Sequence, residues 1–168
     1  ADRKIFIKAE CLQHTGSFKF RGAFSAISSI PIEKRKKGVI AYSSGNHAQG
    51  VALAAKIHKI SATIIMPEDA PEIKINNTRD LGAEVILYDR LNESREKIGE
   101  RISEERLLSL IPPYDHTDVI AGQGTIGLEI ASQADENGIE KADVLVCCGG
   151  GGLTSGIAVA LSNLMPNF

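Results

Sequence analysis

The chain has 168 residues, 43% of them hydrophobic and 24% charged, with a net charge of −2. That is enough apolar material for one large or two small globular domains, and the mixed, near-neutral charge argues against a polyanion partner such as nucleic acid. Three cysteines, two of them the adjacent Cys147 and Cys148, make no disulfide framework, the first residues do not read as a signal peptide and no apolar run approaches a membrane span, so a cytoplasmic protein without a membrane partner is expected.

Apolar runs of strand length alternate with segments of helical period. KIFIKAE (4–10) alternates and predicts a strand. SFKFRGAFSAISSI (17–30) predicts a helix with Phe20, Phe24 and Ile27 on one stripe and Thr15 or Ser17 as its cap. GVIAYSS (38–44) predicts a strand, and the alanine-rich NHAQGVALAAKIHK (46–59) a helix. SATIIMP (61–67) is a strand, followed by the helix PEIKINNTRDLG (71–82), with proline early and Gly82 at its end. AEVILYD (83–89) is a strand, and NESREKIGERISEERL (92–107) a charged helix with a solvated face. PPYDHTD (112–118) reads as a linker. GTIGLEIASQADENG (124–138) is a helix, ADVLVCC (142–148) a near-continuous apolar strand, and LTSGIAVALSNL (153–164) a last helix. Strands apolar throughout, alternating with helices, imply an α/β fold whose mainly parallel sheet is covered on both faces. Such sheets bind ligands at the carboxyl ends of their strands.

Four stretches carry chemistry. In CCGGGGLTSG, Gly149, Gly150, Gly151 and Gly152 join an apolar strand to a helix. Four successive glycines let backbone N–H groups turn inward around a phosphate at a helix N-terminus. No Lys-Ser or Lys-Thr follows, so this is not a Walker loop. In AGQGTIG, Gly122, Gly124 and Gly127 match the dinucleotide fingerprint letter by letter, but no strand leads into it, and the match reads as accidental. In SSGNHAQG, Ser43, Ser44, Asn46 and His47 share one tight turn with Gly45. One side chain suffices for a helix cap; four offer a site for a carboxylate. In HTGSFKFRGA, Lys19 stands between Phe18 and Phe20 in the first turn of a helix, with Arg21 nearby. The helix dipole, the like charge and the aromatic neighbours all disfavour the ammonium form, and a lysine so depressed is nucleophilic; on this stretch alone an ordinary surface lysine stays the stronger alternative. His14, His58 and His116 are scattered without metal-ligand spacing, so no metal site is expected.

The series TGSFKFRGA, SSGNHAQG, AGQGTIGLE and GGGGLTSG, in that order and spacing, resembles the pyridoxal-phosphate enzymes of fold type II, in particular the threonine dehydratase and serine racemase branch. The resemblance implies a tryptophan-synthase-β-like architecture, with 38–115 as a small α/β domain and 1–37 plus 116–168 as an incomplete large, cofactor-binding domain of a longer family chain. It implies pyridoxal 5'-phosphate as cofactor, with Lys19 bonded to its aldehyde, Phe18 against its pyridine ring and Asn46 on its phenolic oxygen. Gly149, Gly150, Gly151, Gly152 and Leu153 hold the phosphate. Ser43, Ser44, Gly45, Asn46 and His47 embrace the carboxylate of a small amino-acid substrate. Lys19 takes the α-proton, and in the racemase branch Ser44 is a second acid–base group on the opposite face. The implied reaction is dehydration of L-threonine or L-serine to a 2-oxo acid and ammonia. Serine racemase and 3-hydroxyaspartate ammonia-lyase remain alternatives, as does a non-catalytic phosphate-binding module. A homo-oligomer is expected at full length.

Overall fold

The computed structural model describes residues 4–166. Two short 3-10 turns, Glu10–Leu12 and His14–Gly16, lead into α1 (Lys19–Ser29) and the single turn α2 (Ile32–Arg35). Then follow β1 (Val39–Tyr42), α3 (Asn46–His58), β2 (Ala62–Pro67), α4 (Glu72–Asp80), β3 (Glu84–Tyr88), α5 (Arg95–Arg106) and β4 (Ser109–Leu110). Two long helices, α6 (Thr117–Glu136) and α7 (Gly152–Leu164), complete the described chain. The strands form one parallel sheet in the order β3-β2-β1-β4. Among the described residues no helix is long and apolar enough to cross a membrane.

Side chains alternate across a strand with period two, and the sheet core divides accordingly. Val39, Ala41, Ile64 and Met66 face α3, where Val51, Ala52 and Ala55 are buried against them. Ile40 and Ile65 face the other way, onto Ile102 of α5 and Leu108 just beyond it. Helices thus cover both faces, as a parallel sheet requires. The helix ends obey local chemistry. Ser94 Oγ accepts from Lys97 N at 3.3 Å to cap α5, and α4 starts after Pro71 and stops just before Gly82.

Three expectations fail. Residues 4–9 are irregular and lead into the first 3-10 turn, and residues 141–148 form no strand. A strand is defined by its neighbour, and among the described residues neither segment pairs with one. Leu145, central to the second, is 96% exposed. The third concerns α6, which starts at Thr117 rather than near Gly124. The glycines of AGQGTIG lie inside this helix, at its crossings with α1 and α7. A methyl on Gly122 would lie 2.5 Å from the Arg21 carbonyl of α1, and one on Gly124 would lie 3.1 Å from the Gly156 carbonyl of α7. Absent side chains let the helix backbones touch, which explains the fingerprint-like spacing without a nucleotide.

Candidate functional site

The carboxyl end of β1 runs through Ser43, Ser44 and Gly45 into α3, so Asn46 and His47 open that helix. Its first-turn N–H groups have no intrahelical acceptors and carry the positive end of the dipole. Gly45 and His47 are buried, while Ser44 and Asn46 are exposed. Lys74, from α4, brings its ammonium over this turn; its Nζ would lie 3.1 Å from a methyl on Gly45. A cation at that place reinforces a carboxylate site, and no local motif pointed to Lys74, which lies 29 residues further along the chain.

Lys19 opens α1, and its backbone abuts α3, where a methyl on Gly50 would lie 3.1 Å from the Lys19 carbonyl carbon. Its amine donates to the Pro113 carbonyl at 2.6 Å and stands 5.3 Å from the centre of the Phe18 ring. Burial lowers its proton affinity below that of an ordinary lysine. The expectation that Arg21 adds a like charge is corrected here. Arg21 points away, with Nε and Nη2 forking Glu10 at 2.8 Å each and Nη1 on Glu129 at 2.6 Å and on Thr125 at 3.0 Å. Lys8 also pairs with Glu129, whose carboxyl is held at about 2, first by the Arg21 hydrogen bond. Ser17, not Thr15, serves the first turn of α1, its Oγ accepting from Lys19 N at 3.4 Å.

The His47 ring is buried and its Nε2 lies 2.9 Å from the Ile111 carbonyl. A carbonyl only accepts, so Nε2 carries a proton, and burial keeps the ring neutral at pH 7. Burial, and secondarily the Lys19 charge, push its pKa down to about 4. The unfolded chain, with a histidine near 6.5, binds the proton first as pH falls. Stability from this group is therefore complete above about pH 6.5 and is lost between there and about pH 4. The expected slope is on the order of 1.4 kcal/mol per pH unit. Urea unfolding between those pH values, compared with His47→Gln, should show the slope in the wild type and a flatter profile in the variant.

The glycine loop reaches α7 through Gly151, which caps the helix at φ 86°, a left-handed conformation that favours glycine. Gly150 and Gly152 are filled from outside by Tyr114. A methyl on Gly150 would fall on the Tyr114 ring, 2.5 Å from its Cδ1, and one on Gly152 would lie 2.6 Å from the Tyr114 carbonyl oxygen. Beyond the glycines, Leu153 packs in one apolar cluster with Phe18, Ile126 and Ile157. Phe18 and Leu153, expected on opposite parts of the cofactor, thus share one cluster.

The structure therefore gathers Lys19, His47 and the glycine loop around residues 111–114. Ser43 and Ser44 instead line a cavity of about 270 Å³ at the strand ends, with Pro67, Tyr88, Arg90 and Arg95. Arg95 stacks over Tyr42 at 5.2 Å and pairs with Glu96, while Arg90 pairs with Asp69. The segment read as a linker is part of the site.

A model of the family described as "Pyridoxal-phosphate dependent enzyme" matches residues 1–168. The chain belongs to that family. It is 52% identical over 165 residues to an L-threo-3-hydroxyaspartate ammonia-lyase of Pseudomonas sp, covering 98% of this chain and 50% of the relative. The fold matches maize serine racemase with a TM-score of 0.91 at 42% identity, over 98% of this chain and 49% of that one. It matches the crystal structure of a T.th. threonine deaminase with a TM-score of 0.86 at 47% identity, over 95% of this chain and 50% of that one. The chain spans about half the length of the relatives it matches.

Proposed function

We propose that the protein eliminates water from β-hydroxy-α-amino acids, L-threonine or L-serine, and that water then hydrolyses the released enamine to a 2-oxo acid and ammonia. The observation that carries the reading is a half-buried lysine, Lys19, whose amine is kept less basic by burial and is tied to the segment that packs on the glycine loop. The residues fit a phosphate-bearing cofactor. Gly150 and Gly152 tolerate no side chain beside Tyr114, the first amides of α7 have no helical acceptor, and the buried Thr154 Oγ1 in that first turn has no protein partner. Pyridoxal phosphate supplies an electron sink at the substrate α-carbon when bound.

The chain's own groups do the rest. The loop Gly149–Leu153 holds the phosphate at the α7 N-terminus. Amides at the start of α3, with the Lys74 ammonium above, bind and orient the substrate carboxylate. Neutral His47 cannot lend charge to that carboxylate; it ties the turn to Ile111. Lys19 Nζ, as free amine, accepts the α-proton and returns a proton to the departing β-hydroxyl, which leaves as water. The domain division at 38–115 belongs to the same reading, the parallel sheet forming one lobe and the α1–α6–α7 helices part of the other.

Reduction with borohydride in the presence of pyridoxal phosphate should label the peptide containing Lys19. Label on Lys56 or Lys59 instead overturns the assignment. A second reading, 3-hydroxyaspartate as substrate, is supported by the 52% identity to the Pseudomonas lyase. Comparing kcat/KM for L-threonine and L-threo-3-hydroxyaspartate decides between them.

Ser44 separates elimination from racemisation. Racemisation needs a proton donor opposite Lys19, the role proposed for Ser44, whereas elimination from an L substrate does not. Ser44→Ala should abolish serine racemisation and leave L-threonine dehydration weaker by one lost hydrogen bond, about 0.5–3 kcal/mol. Equal collapse of both activities makes Ser44 a general positioning residue.

A further inference from the structure

Ile111, Pro113 and Tyr114 lie in the connection between β4 and α6, and each touches a different part of the site. The Ile111 carbonyl accepts from His47 Nε2 at 2.9 Å and so holds the carboxylate turn. The Pro113 carbonyl accepts from Lys19 Nζ at 2.6 Å. Tyr114 lies against the phosphate loop, its ring on Gly150 and its carbonyl on Gly152. Within four residues one chain segment touches the amine, the carboxylate turn and the phosphate loop.

Glycine loses more conformational freedom on ordering than any other residue, and a run of four has no side chains to hold it. Something outside the loop must select the one conformation whose amides converge. Tyr114 is placed to do so. Two of the four glycines have their open side closed by this one residue. Tyr114 is 46% exposed, and the face of its ring turned from solvent lies against the glycine loop. The preceding prolines, Pro112 and Pro113, have restricted backbone torsions that narrow how the segment approaches the loop.

Resting on the reading of the preceding section, we propose that Ile111–Tyr114 sets the spacing between the reactive amine, the carboxylate turn and the phosphate loop. Tyr114 is a positioning residue for the cofactor phosphate, acting through Gly150 and Gly152. The effect comes from the ring as a packed wall, not from its hydroxyl. Tyr114→Phe therefore preserves it and Tyr114→Ala removes it.

The test is titration of the protein and its variants with pyridoxal phosphate and, separately, with pyridoxal, which lacks the phosphate, followed by absorbance and equilibrium dialysis. Tyr114→Ala should weaken pyridoxal phosphate about tenfold or more, while pyridoxal shifts by less than about threefold. Tyr114→Phe should stay within about twofold of wild type for both. A double-mutant cycle guards against a merely unfolded variant. Gly150→Ala alone puts a methyl into the ring and should lose phosphate-dependent affinity; in the Tyr114→Ala background the same methyl should have little further effect. Equal weakening of both ligands, or unchanged pyridoxal phosphate affinity in Tyr114→Ala, or strict additivity in the cycle, overturns the proposal. A wild-type protein that takes up no pyridoxal phosphate overturns the preceding reading, and this inference with it.

Discussion

Lys19→Ala is expected to lower turnover by roughly three orders of magnitude or more, because one substitution removes the group proposed as both covalent anchor and base. The fold should survive it. The amine makes a single hydrogen bond, to the Pro113 carbonyl, and its burial lowers its proton affinity, so burying that cation is itself unfavourable. Unfolding midpoints of the two proteins should therefore agree closely, while steady-state production of 2-oxo acid separates them. A small primary amine added to the variant should restore part of the rate by occupying the space left by the side chain. Turnover within about tenfold of wild type in Lys19→Ala would move the proton-transfer role to another group.

Gly156→Ala is expected to destabilise the protein by roughly 2–3 kcal/mol, the range for overpacking a tight contact. Helix propensity alone predicts the opposite sign, about 1 kcal/mol in favour of alanine. Packing decides. The added methyl falls on the Ile120 carbonyl and lies 2.7 Å from Gly124 N, both backbone atoms of α6. Neither can rotate away, so α7 must lift from α6 and loosen the cluster of Ile126, Ile157 and Leu161. The glycine loop sits on the same helix, so retention of pyridoxal phosphate should fall together with stability. Urea unfolding of the variant measures the first effect. A midpoint at or above wild type would show that the helix contact is looser than its geometry.

Much of this was legible in the residues. Every strand of the β1–β3 core and helices α1, α3, α4, α5 and α7 lie where hydrophobic period and turn residues put them. These features are local: alanine content, a proline before a first turn, a serine cap. The failures are non-local. The 4–10 and 142–148 segments have strand-like patterns, but pairing depends on a neighbour that no pattern within the segment encodes. α6 extends back to Thr117 through Gly122 and Gly124, and only the contacts of these glycines with α1 and α7 show why they are tolerated inside the helix. The same asymmetry runs through the site. Lys19, His47 and the glycine loop stand out by composition. Tyr114 and Lys74 act through space from other elements, and PPYDHTD looks like a linker because two prolines and little apolar content say nothing about what lies against it. Arg21 misleads for the same reason: proximity in sequence to Lys19 suggests repulsion, while its partners Glu10 and Glu129 come from before and far beyond it.

Lys8, Glu10, Arg21 and Glu129 form a cluster of two positive and two negative charges next to the helix turn that carries Lys19. Their sum is zero, and the lowered basicity of the Lys19 amine has burial as its cause. Dissolved electrolyte damps fields between charges, over a distance of about 10 Å at 0.1 M. It cannot return to an amine the water that folding has stripped from it. Ionic strength is thus a poor lever on the proton affinity of this lysine, since the cause that lowers it is lost water and not a nearby charge.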